Sequence, residues 1–476
     1  MDFEITCPDT YLNERQYIIK IIMSDFMGLT YNIKFERRET VSIKLRSSDK
    51  ELVIEDILFL TPQYQWLKPT SLPKQPLEVW NINEINTDNN LKVIESSIPI
   101  IYGRKIIKNE ALTQNMGYLT IDEQNIHLGM DVFGSAFFML TRYEEYVKVD
   151  RDQHGRFPSR ASLAYQEGFL ERPIINEYVE ILWWCMKRLW PELKRKKHYF
   201  QIIAGHDVDV PFVQAFKGIS QLIRNCGGDI LIRKSPSITI KRIKSWKSIK
   251  KGDYKKDLNY TFDLIMDVSE LNNLRSAFYF KTGCTNPDYD DDYSIEHPYI
   301  RQLLRDIHNR GHEIGLHPSY ETFNNPKQTK IEFKKLLQVC EEEGIEQNSW
   351  GGRQHYLRWQ VPVTWRNWAE AGLNYDSTLL YADQAGFRCG VCYEFQVYDL
   401  EQGKTLSINE RPLIIMDTSL LSEQYMDLQP TQALQCMIKF KNRCQQFGGD
   451  FTVVWHNNSF IEKHSLGLFK EIVLQK

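Results

Sequence analysis

The chain has 476 residues, a formal net charge of −3 and 42% hydrophobic residues. This length predicts two domains, because single hydrophobic cores stop growing at about 250–300 residues. The slightly acidic balance excludes a general nucleic-acid binder, which is normally clearly basic. No apolar run approaches the ~20 residues needed to cross a bilayer, and the first residues show no secretory signal.

The first half of the sequence mixes short strands and helices. Apolar periodicity predicts strands within 91–107 and helices over 11–29, 132–147 and 178–190. Pro191 and the basic run 194–197 then interrupt the pattern and predict a domain boundary. We therefore expect a smaller α/β domain over residues 1–195 and a second domain over 196–476.

From residue 199 onwards, predicted strands alternate with predicted helices. The strands are 199–204, 277–280, 313–316 and 451–455, and the helices are 299–310, 331–344 and 364–372. This alternation predicts a parallel α/β sheet or barrel. In such folds the functional residues lie on loops at the C-terminal ends of the strands.

Nine cysteines lie at irregular spacing. An odd number without a regular pattern favours reduced thiols over a disulfide framework, so we expect a cytoplasmic protein. Cys389 and Cys392 form one C-x-x-C pair. We interpret them as loop cysteines rather than as a metal or redox site.

Two polar clusters follow predicted strands. In the first, Asp207 and Asp209 are separated by one residue, so one carboxylate can hold a cation while the other takes a proton from bound water. The alternative is a turn that Asp caps locally. In the second, His317 ends a short apolar strand and can face the same pocket as a metal ligand. His312, at the preceding turn, is predicted to be structural.

Three further clusters lie towards the C-terminus. Arg353, in the stretch 351–356, can orient a catalytic carboxylate through a bidentate pair, and the alternative is a surface cation. Residues 375–378 form the fourth cluster, followed by 387–390. An apolar strand delivers His456, a candidate general acid for a leaving amine or alcohol. A lone histidine at a strand end is usually structural, but five clusters in succession favour a functional site.

The order of these clusters resembles the five motifs of the NodB-homology deacetylases, carbohydrate esterase family 4. The resemblance implies a distorted (β/α) barrel over residues 196–476 and removal of an acyl group from a sugar. It also implies the following roles: general base, Asp207; metal-binding aspartate, Asp209; first histidine ligand, His317; arginine of the third motif, Arg353; catalytic acid, His456.

Residues 1–195 resemble a domain that precedes this barrel in some bacterial surface-glycan gene clusters. The stretch 137–145 is part of that resemblance, which implies no function for the domain. The substrate that the resemblance implies is a sugar of a surface polysaccharide or of its lipid-linked precursor.

The sequence departs from the family pattern at the third metal ligand. Glu321 stands in place of the second histidine, and His355 stands where proline is usual. Either side chain would give three protein ligands and an open water position on a divalent ion, for which we expect zinc; Ser319 is a third candidate. We prefer His355, because Glu321 begins a polar stretch that can simply be solvated. The alternative function is an inactive glycan-binding or scaffolding protein on the same barrel.

The segment 233–256 is basic within a slightly acidic chain. It holds ten Lys or Arg residues against the single acid Asp253, with isoleucines and Trp246 interleaved. This composition predicts contact with an anionic membrane surface, and the alternative is a solvated insertion loop. Membrane contact would suit a lipid-linked glycan, so we expect a cytoplasmic enzyme at the periphery of the inner membrane.

Overall fold

The computed structural model describes residues 2–85, 91–106, 114–115, 117–216, 218–232, 236–290, 293–461 and 463–474. The strands in these ranges are β1 Asp2–Pro8, β2 Thr30–Glu36, β3 Thr40–Leu45, β4 Glu51–Glu55, β5 Glu78–Asn81, β6 Ser97–Ile100, β7 Gln114–Asn115, β8 Leu119–Ile121, β9 Asn125–Leu128, β10 Gln201–Val208, β11 Ala277–Phe280, β12 Glu313–Leu316, β13 Gly351–Gly352, β14 Tyr375–Asp376, β15 Phe395–Asp399, β16 Lys404–Glu410, β17 Ile415–Met416 and β18 Asp450–Val454.

The helices in the same ranges are α1 Leu12–Ile19, α2 Val132–Leu140, α3 Tyr143–Val147, α4 Leu163–Gln166, α5 Ile174–Leu189, α6 Ile219–Leu231, α7 Pro236–Lys250, α8 Phe262–Leu271, α9 Pro298–Asn309, α10 Pro326–Glu342, α11 Val363–Ala371, α12 Asp417–Leu421, α13 Pro430–Phe447 and α14 Lys463–Val473. A π-helix, Lys20–Phe26, continues α1. No helix of the described residues is long and apolar enough to cross a membrane.

The predicted α/β class is confirmed. One sheet has the strand order β2-β1-β3-β4-β9-β8-β7, and a second has the order β15-β16-β14-β13-β12-β11-β10-β18-β17. In the second sheet all neighbours pair in parallel except β15 and β16. Helices α9, α10 and α11 each connect two successive strands of that sheet, which is the (β/α) arrangement that alternation predicts. Over the described residues the strand order of this sheet runs from β15 to β17.

Several predicted elements agree with the structure closely, and β11 and β12 agree to the residue. The strand predicted over 199–204 instead extends through Val208 as β10, because Asp207 is buried and pairs in register with Tyr279 of β11. The interpretation of the aspartate pair as a capped turn is therefore wrong for Asp207. A buried carboxylate is tolerated in the strand because Arg353 pairs with it.

The helix predicted over 132–147 is broken into α2 and α3. Arg142 lies between them with φ 55°, in the left-handed region. Its buried side chain donates to the carbonyl of Met139, to the Glu145 carboxylate and to the carbonyl of Arg388. These bonds stabilise a backbone conformation that residues other than glycine rarely adopt.

The residues before and after the predicted boundary pack against each other. Arg388 donates from Nε and Nη2 to the two oxygens of Glu145, at 2.9 and 2.5 Å, and both side chains are buried. One hydrophobic cluster continues through both sheets. The segment between Leu189 and Gln201 contains no strand or helix, and the boundary at 195/196 stays a prediction. None of the nine cysteines, all of which are described, is joined in a disulfide, and Cys389 and Cys392 are buried.

Candidate metal centre

The sheet places three predicted ligands at one edge. Strands β10, β11, β12 and β13 are parallel neighbours, so their C-terminal ends lie together. Asp209 follows β10 directly, His317 follows β12 directly, and His355 is the third residue after β13. The edge where the alternation of strands and helices predicted chemistry therefore carries all three side chains.

The distances from the Asp209 donor to the two histidine donors match a tetrahedral ligand set. His317 Nε2 lies 3.2 Å and His355 Nε2 lies 3.4 Å from Asp209 Oδ1. Two ligand bonds of ~2.0–2.1 Å at a tetrahedral angle separate their donor atoms by about 3.4 Å. The three donors lie within 4.8 Å of one another, which one ion can span. The geometry and the nitrogen and oxygen donors fit a zinc-like cation.

Hydrogen bonds on the far side of each ring aim the histidines. His317 Nδ1 lies 2.7 Å from the carbonyl oxygen of Arg353, and His355 Nδ1 lies 2.8 Å from Asp290 Oδ1. These oxygens accept, so each Nδ1 donates, and the Nε2 of each ring lies on the side of Asp209. Asp209 Oδ1 is buried and makes no well-aligned hydrogen bond in the described structure, although the two Nε2 atoms are close to it. Oriented rings and an unsatisfied buried oxygen are what a metal site requires.

The electrostatics of the cluster favour a bound cation. Burial raises the pKa of Asp209, but His355 and His317 outweigh burial and hold it well below its usual range. Burial lowers the pKa of His355, and the carboxylates of Asp209 and Asp290 outweigh that and raise it. Burial is likewise outweighed at Asp290, where His355 and backbone N–H groups lower the pKa to about 2. A cation at this point would displace the proton of His355, so binding would compete with protons.

Asp207 lies beside the ligands but has a different partner. Its Oδ1 accepts a hydrogen bond of 2.6 Å from Nη1 of Arg353, which is fully buried. The predicted bidentate pair is wrong, because Nε and Nη2 of Arg353 donate to the carbonyl and the hydroxyl of Ser377. Gly205 makes room for this guanidinium, since a Cβ there would lie 3.1 Å from Nη1. Arg353 therefore fixes the position of the Asp207 carboxylate.

His456 faces the ligands from the other side of the cluster. Its Nε2 lies 3.7 Å from Asp209 Oδ2, and its Nδ1 lies 2.6 Å from Asp417 Oδ1. Burial lowers the pKa of His456, but the Asp417 carboxylate outweighs burial, and the pKa rises to about 10. The ring is therefore an imidazolium at neutral pH and can donate a proton into the cluster.

A cavity of about 330 Å³ opens onto these groups. Asp207 and His456 line it together with the three ligands. Three aromatic side chains and one arginine are among the other lining residues: Tyr289, Tyr356, Tyr425 and Arg156. Arg353 lies behind Asp207 and does not line the cavity. A proton acceptor, a proton donor and a cation-binding group thus share one cavity.

Known proteins resemble this chain only in part. The profile of a family of unknown function, DUF7033, matches residues 3–191. No curated protein matches the chain in sequence. The chain is similar to the structure of a polysaccharide deacetylase from Mycobacterium smegmatis, with a TM-score of 0.36 and 15% identity over 60% of this chain and 84% of that chain. It is also similar to Puue allantoinase, with a TM-score of 0.33 and 10% identity over 60% and 85% of the two chains. Similarity this distant assigns no activity.

The structure separates the candidates for the third ligand. His355 joins Asp209 and His317, whereas Glu321 is 45% exposed and accepts a bond of 2.9 Å from Nη1 of Arg358. Ser319 is buried and donates its hydroxyl proton to Glu332. Glu321 and Ser319 are therefore engaged elsewhere.

Two carboxylates of this centre were not singled out from the sequence. Asp290 lies in the acidic loop after β11, where its neighbours in sequence are also aspartates. Asp417 follows the apolar run 413–416 directly, which marks the end of a strand and was the available signal. Each carboxylate acts on a histidine from a different loop, His355 and His456.

The remaining polar residues of the clusters stabilise the fold. His206 is buried, and its Nδ1 bonds to the carbonyl of Trp455 at 2.8 Å. His312, predicted to be structural, is buried and accepts the backbone N–H of Ser276. Asp376, of the fourth cluster, is buried, and burial raises its pKa.

Proposed function

We propose that this protein is a metal-dependent hydrolase that removes an acyl group, normally acetyl, from a nitrogen or oxygen atom of a sugar. One observation carries the proposal: Asp209 lies at tetrahedral ligand distance from His317 and from His355, while Asp207 and His456 line the same cavity. The resemblance of the motifs to the NodB-homology deacetylases supports the same activity. The absence of the second histidine of the family pattern favoured an inactive glycan-binding protein. In this proposal His355 provides the third ligand instead.

In this mechanism Asp209, His317 and His355 hold a divalent ion, for which zinc is our choice. When bound, such an ion lowers the pKa of a coordinated water and polarises an acyl carbonyl. The protein's task is to hold three donors with the fourth position open to the cavity.

Asp207 is the general base of the proposed reaction. Its carboxylate is held by Arg353 beside the ligands, and it takes one proton from the attacking water. The resulting hydroxide forms the new bond to the acyl carbon. Because the Arg353 guanidinium is itself fixed by Ser377, the base needs little reorganisation as the proton moves.

His456 is the general acid. Its imidazolium gives a proton to the sugar nitrogen or oxygen as the bond from that atom to the acyl carbon breaks. The products are a carboxylic acid, acetate for an acetyl group, and the free amine or hydroxyl of the sugar. Asp417 keeps the ring charged and oriented until the proton leaves.

The cavity wall supports a carbohydrate substrate. Tyr289, Tyr356 and Tyr425 combine an apolar ring face with a polar hydroxyl, which suits the faces and hydroxyls of a sugar ring. We assign the substrate to a surface polysaccharide or its lipid-linked precursor.

We also propose that the segment 233–256 contacts an anionic membrane surface. Arg233 and Lys234 lie outside the described residues, but α7 exposes Lys241, Lys244 and Lys247 beside Ile240. The neighbouring helix α6 exposes apolar side chains, Ile223 at 67% and Leu231 at 80%. Both helices follow β10, whose end carries Asp209. Contact here would bring a lipid-linked substrate to the cavity from the cytoplasmic face of the inner membrane.

The test of the proposed activity is metal content and acetate release in one preparation. We expect about one zinc ion per chain in the wild type, in keeping with a single three-ligand site, and its loss in Asp209→Ala. Asp288→Ala, on an exposed aspartate, is the control and should keep its zinc. N-acetylated oligosaccharides should release acetate only with the metal present. A wild-type protein that binds no divalent ion would refute the proposal.

A further inference from the structure

A turn in the region matched by the family of unknown function reaches the candidate metal centre. In this turn, residues 152–156, Asp152 Oδ1 accepts the backbone N–H groups of His154 and Arg156, both at 2.9 Å. Asp152 Oδ2 accepts Nε of Arg156 at 2.7 Å. The Asp152 carboxylate therefore closes the turn and orients the guanidinium of Arg156.

The guanidinium of Arg156 bonds to the turn that carries His355. Its Nη1 donates to the carbonyl oxygen of Tyr356 at 2.9 Å. In return, Nε of Arg358 donates to the carbonyl oxygen of His154 at 2.8 Å. Both arginines are buried. Each turn thus uses one arginine to hold a backbone carbonyl of the other, across about 200 residues of sequence.

The turn that carries His355 is one that needs support. Tyr356 and Leu357 have φ values of 58° and 54°, in the left-handed region. Residues with a Cβ enter this region at a cost and stay there only when the surroundings impose it. The reversal of the chain at these two residues directly follows His355, so its stability governs where the imidazole points.

The same turn also contacts the loop of the second histidine ligand. His154 Nδ1 lies 2.8 Å from the hydroxyl of Tyr320, three residues after His317. Arg358 Nη1 donates to the carbonyl of Tyr320 at 2.8 Å. The loops of His317 and His355 are therefore joined to each other and to the turn 152–156.

We propose that the turn 152–156 is part of the metal centre, and that Arg156 is a positioning residue for His355. By holding the carbonyl of Tyr356, Arg156 keeps Nε2 of His355 at tetrahedral distance from Asp209. This inference rests on the proposed metal site, and it gives the region preceding the barrel a role in the activity of the barrel. The effect should be on metal affinity, because Arg156 touches the backbone beside a ligand.

The test compares Arg156→Gln with Arg151→Gln. Arg151 is a nearby exposed arginine of the same region, and it too donates to backbone carbonyls, those of Glu145, Lys148 and Asp150. Zinc dissociation constants are measured by chelator competition, and Co²⁺-loaded protein is examined by visible absorption, which reports coordination geometry. We expect Arg156→Gln to bind zinc at least tenfold more weakly with an altered Co²⁺ spectrum, and Arg151→Gln to match the wild type.

A folded Arg156→Gln protein with wild-type zinc affinity and an unchanged Co²⁺ spectrum overturns the inference. If that variant fails to fold, Arg156→Lys takes its place, because a single ammonium keeps the charge near Asp152 but cannot reproduce the fork that serves Asp152 and Tyr356 together. We expect its zinc affinity to fall at least threefold, and an unchanged affinity overturns the inference. Absence of zinc binding in the wild type would refute the proposed function instead.

Discussion

Asp417 contacts His456 twice: Oδ1 lies 2.6 Å from Nδ1 of the ring, and Oδ2 accepts the backbone N–H of the same residue at 3.0 Å. Ser459 donates its hydroxyl proton to Oδ2 as well. One carboxylate thus fixes the backbone and the ring of His456 and determines its charge. The distal nitrogen of the ring, directed at Asp209, is left as the proton donor.

The first prediction concerns pH. His456 must be protonated to act as the acid, so activity should fall as the pH rises through its pKa, which Asp417 holds at about 10. Asp417→Asn removes the charge that raises this pKa. We expect the alkaline limb of the kcat/KM profile for an N-acetylated sugar to move down by at least one pH unit. Glu423→Gln, on an exposed side chain, is the control; an alkaline limb that stays in place would show that His456 is not the acid.

The second prediction separates the acid from the rest of the site by leaving group. A sugar amine must be protonated as it departs, whereas 4-nitrophenolate leaves as an anion. His456→Gln should therefore lose about 10²–10⁴-fold in kcat on an N-acetylated sugar and far less on 4-nitrophenyl acetate. Initial rates on the two substrates measure this. Equal losses on both would assign His456 to metal binding or structure.

The third prediction assigns the two aspartates. Asp207 bonds to Arg353, while Asp209 alone of the two lies at ligand distance from both histidines. Asp207→Asn should keep its zinc and lose about 10²–10⁴-fold in kcat, the range for removal of a general base. Asp209→Asn should lose zinc and activity together. Zinc content and acetate release are measured on both variants. If Asp207→Asn loses its zinc and Asp209→Asn keeps it, the two roles are exchanged.

The fourth prediction tests the carboxylate behind His355. Asp290→Asn removes the charge that orients the ring and strengthens its Nε2 as a donor. Loss of such a partner weakens metal affinity by about 10–100-fold. Chelator competition gives the zinc dissociation constant, with Asp288→Asn, in the same loop but exposed, as the matched control. Equal zinc affinity in the two variants would mean that Asp290 serves only the fold of its loop.

The fifth prediction concerns the membrane. Lys244→Glu with Lys247→Glu reverses two exposed charges of α7, each worth ~1 kcal/mol at an anionic surface. Wild-type protein should sediment with phosphatidylserine vesicles at low salt and be released at high salt, and the double variant should stay in solution. Lys330→Glu with Lys334→Glu, exposed on α10, should behave as the wild type. Wild-type protein that ignores these vesicles at low salt refutes membrane contact.

Convergence of Asp209 and His317 was predictable from the sequence because it follows from topology. Parallel strands end at a common edge, so the strands predicted before Asp209 and His317 already place these two residues together. The two-residue strand β13 before His355 was not predicted, and His355 was preferred only because Glu321 begins a polar stretch. The contribution of Asp290 was not predictable, since nothing local distinguishes it from the aspartates beside it. The break of the predicted helix at Arg142 was missed for a similar reason, because its partner Arg388 is 246 residues away.

The bond between Glu145 and Arg388 decides how this polypeptide can be divided. A fragment starting at residue 196 would lack the carboxylate that neutralises Arg388 in the whole chain. Removing one partner of a buried ion pair costs about 3–5 kcal/mol. This is a large part of the free energy of unfolding of a typical protein, which is ~5–15 kcal/mol. Residues 196–476 produced alone should therefore be less stable to denaturant than the whole chain.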